Sequence, residues 1–176
     1  MAISLDNPVP LKKLDAVNIV LASIGQGPTG SLGDGARPAA RDAIDALAAT
    51  SLEVQGGEWN FNKEDRLELK PNASSEIILP GNLLRFRPTW TSVGESVTQR
   101  GNRLYDRAKS TFKLDRSVFI EATVGLAFEE LPQPARWYIA IYAALQYANQ
   151  KLPGDASMRP TMAQLNKAKA ALDDFD

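Results

Sequence analysis

The chain has 176 residues, with 20 basic against 21 acidic side chains and a net charge of −1. That length suits a domain able to hold its own core, and near-neutrality excludes the global footprint of a protein that grips nucleic acid through its phosphates. Cysteine and histidine are both absent, which removes disulfides, thiolate nucleophiles and the commonest general base and metal ligand, leaving carboxylates, lysine, tyrosine or serine for any chemistry.

The stretch Met1 to Asp6 carries neither a basic n-region nor an apolar h-region, so export through a signal peptide is not expected. No run approaches the ~20 apolar residues of a membrane span. The expectation is a soluble protein, not inserted in a membrane, assembled in a reducing cytoplasm. From Leu11 to Ile24, the residues Leu11, Leu14, Val17, Leu21 and Ile24 recur at three and four, which predicts a helix ending at Gly25. Gly25, Gly27, Pro28, Gly30, Gly33 and Gly35 then predict a flexible connector. Pro38 opens a second helix, from about Arg37 to Gln55, with Ala40, Ile44, Leu47, Ser51 and Val54 on one face and Gly56-Gly57 as its stop.

After Gly57 the period falls to two. Arg66 to Lys70 and Leu84 to Arg87 alternate strictly and are bounded by Pro71, Pro80 and Pro88, so both predict half-buried strands. Val97 to Arg100, Gly101-Asn102, and Arg103 to Asp106 predict a hairpin, because Gly-Asn supplies the positive φ angles of a two-residue turn. Val118, Ile120, Ala122, Val124 and Leu126 predict one long final strand with an apolar face.

Pro132 and Pro134 open a third helix to about Lys151, in which Trp137, Ile141, Leu145 and their neighbours leave almost no polar face. Such a helix must be covered on most sides, and the expectation is that a neighbouring subunit supplies part of the cover. Pro153-Gly154 ends it. Thr161 with Gln164 predicts a capping box for a fourth helix whose stripe is Met162, Leu165, Leu172 and Phe175. The fold class expected is α+β: a bundle of about four helices, built from residues 1–57 and 132–176, with a small antiparallel β-sheet subdomain inserted at 58–131.

The candidate chemistry is thin. Gly25-Gln26-Gly27-Pro28-Thr29-Gly30 spells G-x-G-x-x-G, but it leaves a predicted helix instead of a strand, Pro28 removes an amide donor, and the next helix begins only near Pro38. No cofactor is expected. Glu129 and Glu130, with Glu121 upstream, are the carboxylates available to an alternative reading, a polysaccharide hydrolase using paired carboxylates. That chemistry needs two carboxylates facing each other across ~5–10 Å, which sequence neighbours do not do; a helix N-terminus is the plainer role for them. Trp59, Phe61, Trp90 and Phe112 could stack bases while Arg85, Arg87, Arg100, Arg103 and Arg107 reach phosphates. The plainer reading is aromatic core and arginine rim. Asp173-Asp174, Glu64-Asp65 and Asp115 have no metal-site spacing. No catalytic, cofactor-binding or metal-binding residue is assigned.

The order of several short motifs is more informative than any one of them. Ala16-Val17-Asn18 with Leu21 to Gly25, then Gly57-Glu58-Trp59-Asn60-Phe61-Asn62, Leu79-Pro80, Gln99 to Arg107, and the aromatic helix after Pro132 span about residues 16 to 151. In this order they resemble tail tubular protein A, the adaptor ring of short-tailed bacteriophages (podoviruses). The resemblance implies a structural virion protein of the tail, not an enzyme. It implies a twelve-fold ring beneath the portal protein, with the tubular nozzle (tail tubular protein B) below and tail fibres around it. Double-stranded DNA passes non-specifically through the lumen on ejection. Candidate inter-subunit or partner contacts are Trp137, Ile141, Leu145, Trp90, Arg100, Tyr105 and Arg107. The segment Thr89 to Glu95 fits no part of the pattern, and many family members continue beyond the fourth helix.

Overall fold

A computed structural model describes residues 9–89, 96–154 and 157–176. The chain divides into two compact units, one formed by the residues up to Val54 together with those from Ala127 onward, the other by Gln55–Leu126.

The first unit is helical. Helix α1 (Lys13–Ala22) ends through Gly25, whose φ of +71° lets its amide return to the Ala22 carbonyl while the Gln26 amide reaches Leu21, a closure that suits glycine. Its fully buried side chains are Ala16, Val17, Val20 and Leu21, whereas Leu11, Leu14 and Ile24 are only half-buried. The buried face therefore keeps Val17 and Leu21 of the predicted stripe and adds Ala16 and Val20. The glycine loop is stapled, not free: Asn18 Oδ1 accepts from the Thr29 amide at 2.8 Å and its Nδ2 donates to the Thr29 carbonyl at 3.2 Å. Arg37 reaches the carbonyls of Gly27 and Pro28.

Helix α2 (Pro38–Gln55) buries Ala40, Ala43, Leu47, Thr50 and Val54. Helix α3 (Gln133–Lys151) runs antiparallel to it, joined by Lys151 to Asp42 at 2.7 Å and by Tyr142, whose hydroxyl donates to Glu53 at 2.9 Å. Arg136 pins the start of α3, donating to the carbonyls of Leu131, Leu11 and Glu129. Helix α4 (Met162–Phe175) carries the expected capping box: the Gln164 amide donates to Thr161 Oγ1 at 3.2 Å, and the Thr161 amide donates to Gln164 Oε1 at 2.8 Å. Its buried stripe is Leu165, Ala168 and Leu172. Met162 and Phe175, at 60% and 55% exposed, stand outside it, so the predicted stripe is corrected at both ends.

The second unit contains the strands. In β1 (Lys63–Leu69), β2 (Leu83–Pro88) and β5 (Val118–Val124) the central strand is β5, with β1 and β2 antiparallel on either side. β3 (Val97–Arg100) and β4 (Arg103–Asp106) form a separate two-stranded sheet. One predicted sheet is thus two. A single bridge, Ile78 to Arg103, ties the hairpin to the segment between β1 and β2, and another, Asp106 to Thr111, ties β4 to the loop that follows it. Both pieces cover one core, in which Leu69, Ile77, Leu104, Val118 and Ile120 are buried. The unit's chain ends are joined by the Gln55 side chain, which bonds both main-chain groups of Leu126.

Candidate functional site

The hairpin turn dictates an awkward electrostatic arrangement. Gly101, at φ +63°, closes a two-residue turn that sets Arg100 directly opposite Arg103, and like charges opposed across a ladder repel. The chain relieves this with aromatics. The Arg100 guanidinium lies 3.6 Å from the centroid of the Tyr105 ring, Tyr105 meets Phe112 edge-on at 4.9 Å, and Arg103 lies 4.2 Å over Phe112 while pairing with Glu76 at 2.8 Å. Alternation along β4 makes the ladder possible: Leu104 and Asp106 are buried, while Arg103 and Tyr105 point to the opposite side, half-exposed. Arginine and tyrosine held rigidly on a sheet are the residue types that dominate binding hot spots.

Asp106 organises the loop that delivers Phe112. Its carboxylate accepts from the amides of Ala108 at 2.8 Å and Lys109 at 3.1 Å, and its main chain exchanges two hydrogen bonds with Thr111. The Lys109 amide holds the Asp106 carboxyl below its ordinary 3.8 against the opposing effect of burial, helped by the Ser96 hydroxyl, the Ala108 amide and the Lys109 charge. Beyond the loop is a depression of about 290 Å³ lined by Asp106, Lys109, Lys113, Leu114, Asp115 and Arg116.

Of the residues singled out from sequence, Arg100 and Tyr105 come together in this ladder. Arg107 follows them, donating from its amide and Nε to the Ser96 carbonyl at 2.8 and 3.2 Å. Trp90 lies outside the described residues, as do Thr91 to Glu95. On α3, Trp137 is 43% exposed, whereas Ile141 and Leu145 are 6% and 9% exposed and pack with Leu165, Ile19, Tyr138 and Tyr142. For these two, part of the cover comes from the chain's own helices. Ala140, Ala143, Ala144 and Ala148 let the chain's own helices close on it, as the Ser23 hydroxyl shows by lying 3.1 Å from the Ala144 carbonyl.

The remaining candidates have structural roles. Glu129 and Glu130 share a single turn of 3-10 helix, and the Glu130 carboxylate accepts from the Ala127 amide at 2.9 Å. Glu121 is exposed on β5. Arg85 and Arg87 both pair with one oxygen of Glu58 at 2.8 Å, and Trp59 stacks on Phe61. The glycine-rich segment leaves a helix and enters a helix, so the geometry for a nucleotide phosphate is not built. Among the described residues no group of acidic side chains could hold a metal ion, and no helix is long and apolar enough to cross a membrane. Sequence reasoning missed the loop lysines Lys109 and Lys113 and the bridging Glu58; a running count of local charge would have flagged the lysines.

The helical unit exposes Trp137, and the β unit carries its arginines and aromatics stacked in one ladder. Residues 14–176 match the tail tubular protein family model, and the chain belongs to that family. It is similar to tail tubular protein A of Klebsiella phage KP34, with 28% identity over 147 residues, covering 84% of this chain and 77% of that protein. The chain is a structural protein of the bacteriophage tail.

Proposed function

We propose that the protein is the adaptor ring of a short-tailed phage, joining the portal to the tubular nozzle, helping to anchor tail fibres, and surrounding the channel through which DNA is ejected. One observation carries this reading: a single tail tubular protein family spans residues 14–176, so both compact units belong to it. Head-to-tail contacts that close on themselves generate a ring, and twelve copies match the reading. The exposed Trp137 on the helical unit and the cation–aromatic ladder on the β unit support it as two separate docking surfaces. In this reading the protein acts in the virion tail by binding alone, after assembly in the host cytoplasm.

Mixing the purified protein with portal and imaging the product by electron microscopy tests the proposal. A twelve-fold ring seated on the portal is expected. Persistent failure to associate overturns it.

A further inference from the structure

The charge of this chain is unevenly placed. Residues 100–116 contain six basic and two acidic side chains in a protein whose net charge is −1. Of the two carboxylates, that of Asp106 stays ionised while it accepts from the amides of Ala108 and Lys109 and the Ser96 hydroxyl inside the loop, and with Asp115 it offsets only two of the six cations. Arg103 is paired with Glu76. Arg100, Lys109, Lys113 and Arg116 form no ion pair among the described residues, and the last three rim the depression of about 290 Å³.

From these observations we infer that Lys109, Lys113 and Arg116 form a phosphate-binding site, and that its ligand is the phosphodiester backbone of duplex DNA. The inference rests on the reading that DNA crosses the ring. Three features favour a phosphate backbone over a single small anion. Three cations share one concave rim, more than a single monoanion needs. The loop is already fixed, by Asp106 to Thr111 in both directions, by the Lys113 amide on Thr111 Oγ1 at 3.1 Å, and by the Leu114 amide on the Ser75 carbonyl at 2.7 Å, so little ordering entropy opposes binding. No helix presents itself there for a major groove: the segment between β4 and β5 is irregular. Contacts to backbone without base edges give weak, sequence-independent affinity, which suits a strand that must slide past.

The test is fluorescence anisotropy of the full chain with a labelled duplex, as a function of salt. Three phosphate contacts predict that affinity falls about fortyfold between 50 and 200 mM salt, and a protein that has lost them only a shallow fall. The variant Lys109→Gln with Lys113→Gln and Arg116→Gln is expected to bind more weakly and to show the shallow dependence. A charge-matched control, Lys12→Gln with Lys70→Gln and Lys167→Gln, is expected to keep the steep one. Equal loss in both variants would reduce the effect to net charge and overturn the site. So would a steep dependence surviving in the loop variant, or no binding by the wild type at low salt. Binding of inorganic phosphate without binding of duplex would overturn DNA as the ligand. Ring formation on the portal is scored on the same samples. Rings without DNA affinity sink this inference alone, and absence of rings sinks the adaptor reading on which it rests.

Discussion

Gln55 and Leu126 form a closed amide pair: the Leu126 N–H donates to Gln55 Oε1 at 2.7 Å, and Gln55 Nε2 donates to the Leu126 carbonyl at 3.2 Å. Asn62 reinforces it, donating to the carbonyls of Gln55 and Val124 at 2.8 and 3.0 Å. One side chain thus replaces a ladder rung at the edge where β5 has ended. Gln55→Ala leaves both main-chain groups of the half-buried Leu126 without this partner, at a cost toward or below the lower end of the about 1–3 kcal/mol of a fully buried orphan. A lowered denaturant midpoint is expected. An unchanged midpoint would show that the pair contributes nothing.

The turn at Gly101 is a second sensitive position. Its φ of +63° is costly for any side chain branched at Cβ, by about 1–2 kcal/mol. Gly101→Val is expected to lower the melting temperature and Gly101→Asn to lower it far less, since asparagine tolerates the left-handed region. Equal effects in a thermal melt would mean that side-chain bulk, not backbone strain, decides.

Asp106 gives a pH dependence whose sign is fixed. Its carboxyl is held below the ordinary 3.8, chiefly by the Lys109 amide. The ionised form therefore stabilises the fold fully above that ordinary value, and the contribution is lost as pH falls through the lowered folded-state value. Asp106→Asn is expected to be less stable than wild type at neutral pH, and the two urea midpoints should converge in acid. A constant gap across the series would refute the assignment.

The helical unit supplies a contrast between a core residue and a surface one. Leu172 is fully buried and Trp137 is not. Leu172→Ala is expected to cost about 2–5 kcal/mol in the isolated chain. Trp137→Ala is expected to shift it by less than about 0.5 kcal/mol, as at ordinary surface sites, and to show its effect only in co-sedimentation with portal. A Trp137→Ala protein that assembles like wild type would remove Trp137 from the interface.

Where information is local, the sequence reads well. Gly101-Asn102 between two alternating runs is enough to place the hairpin register, and Thr161 with Gln164 places the start of α4. The helical and strand segments, and with them the α+β class, follow from a change of period. The cover of α3 was not legible in the same way. Its apolar mass points to a need for cover, and part of that cover is intramolecular, through the buried Ala140, Ala143, Ala144 and Ala148, whose smallness lets another helix in. Glu58 reaching both Arg85 and Arg87, and Phe112 arriving between Tyr105 and Arg103, depend on pairings across the fold that no local pattern encodes. Arg100 and Tyr105 were named through family resemblance, and their partnership came only with the register.

The reach of the Gln55 side chain to Leu126 has a corollary for the 55–126 stretch. It departs and comes back through neighbouring points, so an insertion or a resurfaced strand inside it leaves the spacing of its two ends in the hold of a single side chain.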